Sequence, residues 1–158
     1  MVYAFNVGKL TSNPIDKIYS GVQKPKKKNM AALKPNELPE LMNAIANASI
    51  KKVTRFLIEW QLHTMSRPAE AAGAKWEEID LENKLWIVPE ERMKKRKEHK
   101  IPLTDQTIAL LEELKPISGH RDFLFPSDRN PKKPCHSQTA NMALKRMGFE
   151  NRLVSHSL

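Results

Sequence analysis

The sequence contains little cysteine and little glycine, and each shortage excludes a class of protein. Cys135 is the only cysteine among the 158 residues, so no disulfide forms within the chain. A reducing compartment, the cytoplasm, is the expected location. The five glycines stand far apart, at positions 8, 21, 73, 119 and 148. Neither a GxGxxG turn nor a Walker-type phosphate loop is present, and we therefore expect no cofactor.

Long hydrophobic runs and clustered metal ligands are also missing. Hydrophobic residues make up 40% of the chain, which argues against wholesale disorder. Charged residues interrupt every apolar stretch well before the ~18 residues that a membrane span requires. The five histidines are scattered, and the neighbouring Cys135 and His136 are a weak chelating pair. We expect a soluble protein with no membrane contact and no metal site.

Acidic residues are outnumbered by basic ones, and the imbalance points to a partner. Lys and Arg number 27 against 18 Asp and Glu, for a net charge of +9. Ten of the 27 lie in two stretches, one at Lys24, Lys26, Lys27 and Lys28 and the other between residues 92 and 100. A charge run is usually a solvated hairpin, but a basic β-ribbon also fits a DNA groove. Nucleic acid is therefore the favoured partner, and net charge alone leaves both DNA and RNA open.

Apolar periodicity and helix-end signals predict the secondary structure. Helical spacing predicts a first helix over residues 38–48, with an N-cap at Asn36, and a second over residues 53–64. Proline at position 68 predicts a short helix that ends near Gly73. Residues 85–88 and 99–103 are typical of strands, and the stretch between them is expected to be a charged ribbon.

Two further helices complete the prediction. Thr104 is expected to cap a helix that Pro116 and Gly119 terminate, and a last helix spans residues 137–147. The three tryptophans occupy apolar positions and are expected in the core. Helices segregated from a small antiparallel sheet define the α+β class. The proline, glycine and lysines up to residue 28 indicate a domain boundary there.

Arg67 and Glu70 are the residues whose local setting best suits chemistry. Arg67 comes directly before a helix that starts with proline, where free N–H groups and the guanidinium together suit one phosphate. Glu70 stands at the third helical position, from which it could orient Arg67. The alternative is that Glu70 is simply a favourable acidic residue in a first helical turn.

Several motifs in order resemble one family. They are TMSRPAE at residues 64–70, GAKWEEID at 73–80, ERMK at 91–94, HKIPL at 99–103, LLEEL at 110–114, FLFPS at 123–127 and NMALKRMGF at 141–149. This series resembles the catalytic domain of the tyrosine recombinases, specifically the prophage-type integrases. The resemblance implies that residues 29–158 form a mainly helical catalytic domain with a three-stranded antiparallel sheet on one edge. Residues 1–28 resemble the end of the family's core-binding domain and its basic linker.

The resemblance also implies a reaction and its residues. In this family a tyrosine attacks the scissile phosphate without a metal ion, forms a 3′-phosphotyrosyl link and releases a 5′-hydroxyl. Arg67 matches the first catalytic arginine, and Glu70 matches the acidic residue that supports it. Lys94 matches the lysine that protonates the leaving group, with Lys95 as the alternative, and His156 matches the start of the His-x-x-Arg box. The residues implied in DNA binding are Lys24, Lys26, Lys27, Lys28, Lys95, Arg96, Lys97 and His99.

The sequence departs from the family pattern near its end. It stops at Leu158, before the arginine of the box, and contains only Tyr3 and Tyr19, neither of which matches the nucleophile. We therefore expect an inactive, monomeric piece of an integrase from a bacterial or archaeal cell. The resemblance implies that the complete protein binds double-stranded attachment sites as a tetramer, with host DNA-bending and excision factors. The rival interpretation is a non-catalytic module that binds double-stranded DNA on the same scaffold.

Overall fold

The computed structural model of the chain describes residue 8, residues 30–93 and residues 96–155. These residues contain five α-helices and three β-strands: α1 (Leu38–Asn47), α2 (Lys52–Thr64), α3 (Pro68–Ala72), β1 (Ile79–Asp80), β2 (Leu85–Val88), β3 (His99–Pro102), α4 (Asp105–Ser118) and α5 (Thr139–Leu144). Short 3-10 turns occur at Pro35–Glu37, Trp76–Glu78 and Glu90–Arg92, and a π-helical turn at Lys145–Phe149. The following predicted site residues lie outside the described residues: Lys24, Lys26, Lys27, Lys28, Lys94, Lys95 and His156.

The three strands form one antiparallel sheet in the order β1-β2-β3. Trp86 of β2 stands opposite Ile79 on one side and Ile101 on the other. Trp86, Val88 and Ile101 are buried, so the sheet packs one face against the helices. The predicted α+β class, mainly helical with a small three-stranded antiparallel sheet, is confirmed.

Helix α2 runs through the centre of the core. Trp60 is fully buried and meets Trp86 and Phe125 edge to face, with ring centroids 5.1 and 6.3 Å apart. The helix also packs against α3, α4 and α5. Arg67 follows this helix within three residues, so a helix at the centre of the core positions it.

Three local predictions are corrected. Asn36 is not an N-cap, because it lies inside the 3-10 turn that precedes α1. Pro116 does not end α4; the helix continues to Ser118, where the Gly119 N–H donates to the Lys115 carbonyl at 2.8 Å. The charged stretch is not an extended β-ribbon in its described part, because β2 ends at Val88 and a 3-10 turn follows.

No helix among the described residues is long and apolar enough to cross a membrane.

The predicted cap of α4 is present, since the Thr107 N–H donates to the Thr104 hydroxyl at 3.3 Å. Helix α5 passes into the π-helical turn, within which Gly148 adopts a φ of 90°. That left-handed backbone explains why glycine stands there.

Candidate phosphate-binding site

A short turn at Met65 and Ser66 connects the core helix to Arg67. Met65 ends α2 in the left-handed conformation, with φ 48° and ψ 31°. The Thr64 hydroxyl donates to the Trp60 carbonyl at 2.7 Å and lies 2.8 Å from the Ser66 hydroxyl. These bonds fix the path of the chain as it turns towards α3.

The structure brings Arg67 and Glu70 into direct contact. One Glu70 carboxylate oxygen accepts from the Arg67 backbone N–H at 3.2 Å, and the other accepts from Arg67 Nη1 at 3.1 Å. The Arg67 side chain is 58% exposed, whereas that of Glu70 is 9% exposed. Glu70 thus restrains the guanidinium from its buried side and leaves it accessible to a ligand.

The charge at this site comes mainly from the arginine. Helix α3 has only five residues, so few peptide dipoles align behind Arg67. A guanidinium presents a planar fork of N–H donors that matches two phosphate oxygens. The arrangement is therefore suited to hold a phosphate or to stabilise negative charge that develops on one.

A second arginine, Arg92, contacts the main chain of α3. The sequence pattern had placed it in the basic stretch at the surface. Arg92 Nη1 donates to the Glu78 carboxylate, and Arg92 Nη2 donates to the Glu70 carbonyl at 2.6 Å. Glu78 also accepts from Trp86 Nε1 at 3.0 Å and from the Lys75 N–H at 3.2 Å. Sequence reasoning missed this cluster because its two charged members are 14 residues apart and neither carries a local signal.

Other described basic residues of the stretch are at the surface. Arg96, Lys97 and His99 are exposed, and Arg96 has a left-handed backbone with φ 47°. His99 begins β3 opposite Val88. The structure thus separates the basic stretch into an inward-facing Arg92 and exposed residues that can meet a polyanion.

The buried Gln61 and the half-buried Asn141 hold the backbone immediately before His156. Gln61 Nε2 of α2 donates to the Ser155 carbonyl at 3.5 Å, and the Ser155 N–H donates to Asn141 Oδ1 of α5 at 3.3 Å. Gln61 is fully buried and Ser155 is 3% exposed. Helices α2 and α5 therefore fix the chain at the residue before the predicted box.

Other potential chemical groups lie apart from this site. An open groove of about 840 Å³ lies between the α1–α2 connection and α5, and its lining contains neither Arg67 nor Glu70. Burial raises the pKa of the Cys135 thiol to about 11, so it is protonated and unreactive near neutral pH. Residues 30–93 and 96–155 hold no group of three His, Cys, Asp or Glu side chains arranged for a metal ion.

Comparison with known proteins identifies the family. The family model described as "Phage integrase family" matches residues 31–158. The chain is 48% identical over 158 residues to "Prophage integrase IntA" of Escherichia coli (strain K12), covering 100% of this chain and 38% of that protein. It is 31% identical over 164 residues to "Integrase" of Enterobacteria phage P4, covering 96% of this chain and 37% of the relative. The chain spans about two fifths of the length of these curated relatives.

Solved structures share the fold. The integrase of transposon Tn1549 in complex with a circular intermediate DNA superposes with a TM-score of 0.74 at 16% identity, covering 99% of this chain and 59% of that one. A lambda integrase dimer bound to a COC′ core site gives a TM-score of 0.68 at 20% identity, covering 99% and 45%. The chain belongs to the phage integrase family and has the fold of a tyrosine recombinase catalytic domain.

Proposed function

We propose that this chain is the greater part of the catalytic domain of a site-specific DNA recombinase that integrates prophage DNA. The observation that carries the proposal is the exposed Arg67 guanidinium, held by the buried Glu70 at the end of the core helix. Family membership supports the same conclusion. A fixed, accessible guanidinium is what phosphoryl transfer requires when no metal ion neutralises the phosphate.

The proposed reaction exchanges one phosphodiester for another. A tyrosine oxygen attacks phosphorus, the bond to the 5′ oxygen breaks, and a 3′-phosphotyrosyl link and a 5′-hydroxyl result. Arg67 stabilises charge on the non-bridging oxygens, Lys94 gives a proton to the leaving oxygen, and His156 exchanges a proton with the attacking group. Lys94→Ala is expected to slow cleavage more than Lys95→Ala; the reverse order would assign the role to Lys95.

The nucleophile of this reaction is proposed to lie outside the 158 residues. Tyr3 and Tyr19 are the only tyrosines of the sequence, and both precede Arg67 by more than forty positions. Neither matches the family motif that carries the attacking hydroxyl. The chain by itself is therefore expected to bind DNA without cleaving it.

Double-stranded DNA is the proposed partner. The integrase of Tn1549 and lambda integrase are described in complex with DNA. In this chain the exposed Arg96, Lys97 and His99 supply basic side chains beside the sheet. Lys24, Lys26, Lys27, Lys28 and Lys95 are proposed to add to them, in a complete protein that acts as a tetramer with DNA-bending and excision factors.

The exposed Arg96, Lys97 and His99 would suit duplex binding with or without catalysis, and they support a second candidate, a non-catalytic module that binds duplex DNA. Covalent trapping separates the two. A suicide duplex carrying the attachment sequence is incubated with the complete coding product and with the 158 residues alone. A covalent adduct in the complete protein only supports the recombinase. Retained duplex binding with no adduct in either supports the module.

A further inference from the structure

A largely buried ionic cluster of Arg92 and Glu78 contacts the main chain of α3 at Glu70. The Arg92 side chain is 21% exposed and the Glu78 side chain 4%. Arg92 joins three parts of the fold, because it donates to the Glu78 carboxylate and to the Glu70 carbonyl, and itself follows β2. Through Trp86 Nε1, the cluster is also tied to the central strand of the sheet.

The space around the Arg92 guanidinium is closely fitted. A Cβ added at Gly73 would stand 2.9 Å from Arg92 Nη2, closer than real Cβ contacts allow. The end of an arginine side chain can usually move away from such a contact. Here the bonds to Glu78 and to the Glu70 carbonyl hold it in place, so the absence of a side chain at residue 73 leaves the room that the guanidinium occupies.

The cost of burying this pair suggests a role other than general stability. Removing two charges from water is expensive, and a well-packed apolar pair of similar volume is often as stable. A paired guanidinium, by contrast, sets direction and distance through several simultaneous bonds. Arg92 donates to the main-chain carbonyl of Glu70, so Glu70 links the ionic cluster to the candidate site.

We propose that Arg92 is a positioning residue for Arg67 and that it acts through Glu70. Arg92 holds the Glu70 peptide, the Glu70 carboxylate holds the Arg67 guanidinium, and the guanidinium is thereby aimed at the scissile phosphate. The inference rests on the proposed recombinase function. It adds to that function a residue that touches neither the DNA nor the reacting atoms.

The test uses single-turnover cleavage of a suicide duplex by the complete protein. Arg92→Lys keeps the charge beside Glu78 but replaces the two donor nitrogens of the guanidinium with a single ammonium, and should slow cleavage about tenfold because catalysis is sensitive to small misplacements. Duplex affinity should remain within about twofold, since no DNA contact is removed. Arg55→Lys is the matched control, because Arg55 is also part-buried and donates Nη2 to a carbonyl, that of Ala48, which is not a residue of the candidate site.

Gly73→Ala provides a second variant that leaves every charge in place. It should displace the Arg92 guanidinium and slow cleavage in the same direction, with thermal unfolding used to verify that each variant is folded. Cleavage at the wild-type rate in both Arg92→Lys and Gly73→Ala would overturn the proposal. An equal loss in Arg55→Lys would do so too, because it would show a general effect of loosening a buried arginine.

A double-mutant cycle distinguishes positioning from a merely structural role. If Arg92 acts through Glu70, then Arg92→Lys should cause little further loss in a Glu70→Gln background. Independent, multiplicative losses would contradict the proposal. The underlying function is checked separately with Arg67→Ala. If Arg67→Ala cleaves at the wild-type rate, the proposed function is wrong. If Arg67→Ala is defective in cleavage but Arg92→Lys is not, only the positioning role of Arg92 is wrong.

Discussion

Met65 is a single residue whose backbone is held in the left-handed conformation next to the candidate site. It is 83% exposed, so its side chain adds little packing. Residues with a Cβ lose energy in this conformation and glycine does not. Met65→Gly should therefore raise the free energy of unfolding by about 1 kcal/mol, as measured by urea unfolding.

Met42 supplies the matched control for this substitution. It is also an exposed methionine, at 45%, but lies within the regular helix α1. Met42→Gly should lower the free energy of unfolding by about 1 kcal/mol. Equal destabilisation by both changes would contradict the strain assigned to Met65.

At the scale of single residues, the sequence could predict contacts between residues close in the chain but not contacts between distant ones. Arg67 and Glu70 are three positions apart at a helix start, so their contact could be anticipated from spacing. Arg92 could not be placed in the same way. Its partner Glu78 is brought close by the folding of the sheet, and the pattern alone assigned Arg92 to the basic surface. Their catalytic roles, and those of Lys94 and His156, stay predictions.

Helix α1 is linked to the end of the described chain by ion pairs to Arg152. Arg152 donates to Glu40 at 2.7 and 2.8 Å and to Glu37 at 3.0 Å. The bonds from Arg152 lower the pKa of Glu40, while the Lys34 backbone N–H and then Arg152 lower the pKa of Glu37. The charged forms are thus favoured in the folded state.

The direction of the pH effect follows from these shifts. Because both pKa values are lowered on folding, the stabilisation is present above the ordinary glutamate value of 4.5 and is lost as the pH falls through the lowered values. Arg152→Gln should therefore reduce stability near neutral pH and make it less sensitive to acid. Urea unfolding between pH 7 and pH 3 measures this, with Arg121→Gln as the charge-matched control. An unchanged acid dependence in Arg152→Gln would contradict the account.

Elements with strong local signals were predicted, and those set by contacts across the chain were not. The α2 periodicity and the Thr104 cap correspond to what the structure shows. Strand β1 has two residues, too few for an alternating pattern, and exists because it pairs with β2. The β-ribbon was predicted from charge and flanking strands, but β2 ends at Val88, Pro89 has no N–H to continue the ladder, and a 3-10 turn follows at Glu90–Arg92.

On the scale of the whole molecule, the exposed basic residues that contact phosphates should set the salt dependence of DNA affinity through released counterions. The double change Arg96→Gln and Lys97→Gln is expected to reduce the slope of log K against log salt by about 2, since each phosphate contact contributes about 0.9. Fluorescence anisotropy with a duplex at several salt concentrations measures the slope.

A control pair tests whether contacts or total charge cause this change. Lys51 and Lys84 are paired with Asp128 and Asp105 at 2.7 and 2.9 Å. Lys51→Gln with Lys84→Gln removes the same net charge but should change the slope less. Equal slopes in the two double variants would show that overall charge, rather than the exposed residues before β3, determines binding.

The central claim is that Arg67, held by Glu70, stabilises the phosphate during strand cleavage. The most direct measurement is the single-turnover cleavage rate of the complete protein with Arg67→Ala, alongside its affinity for the same duplex. The account predicts that cleavage falls by at least about a hundredfold, as when a transition-state donor is removed, while binding is largely kept. Glu70→Gln should give a smaller loss. Cleavage by Arg67→Ala at the wild-type rate would contradict the account.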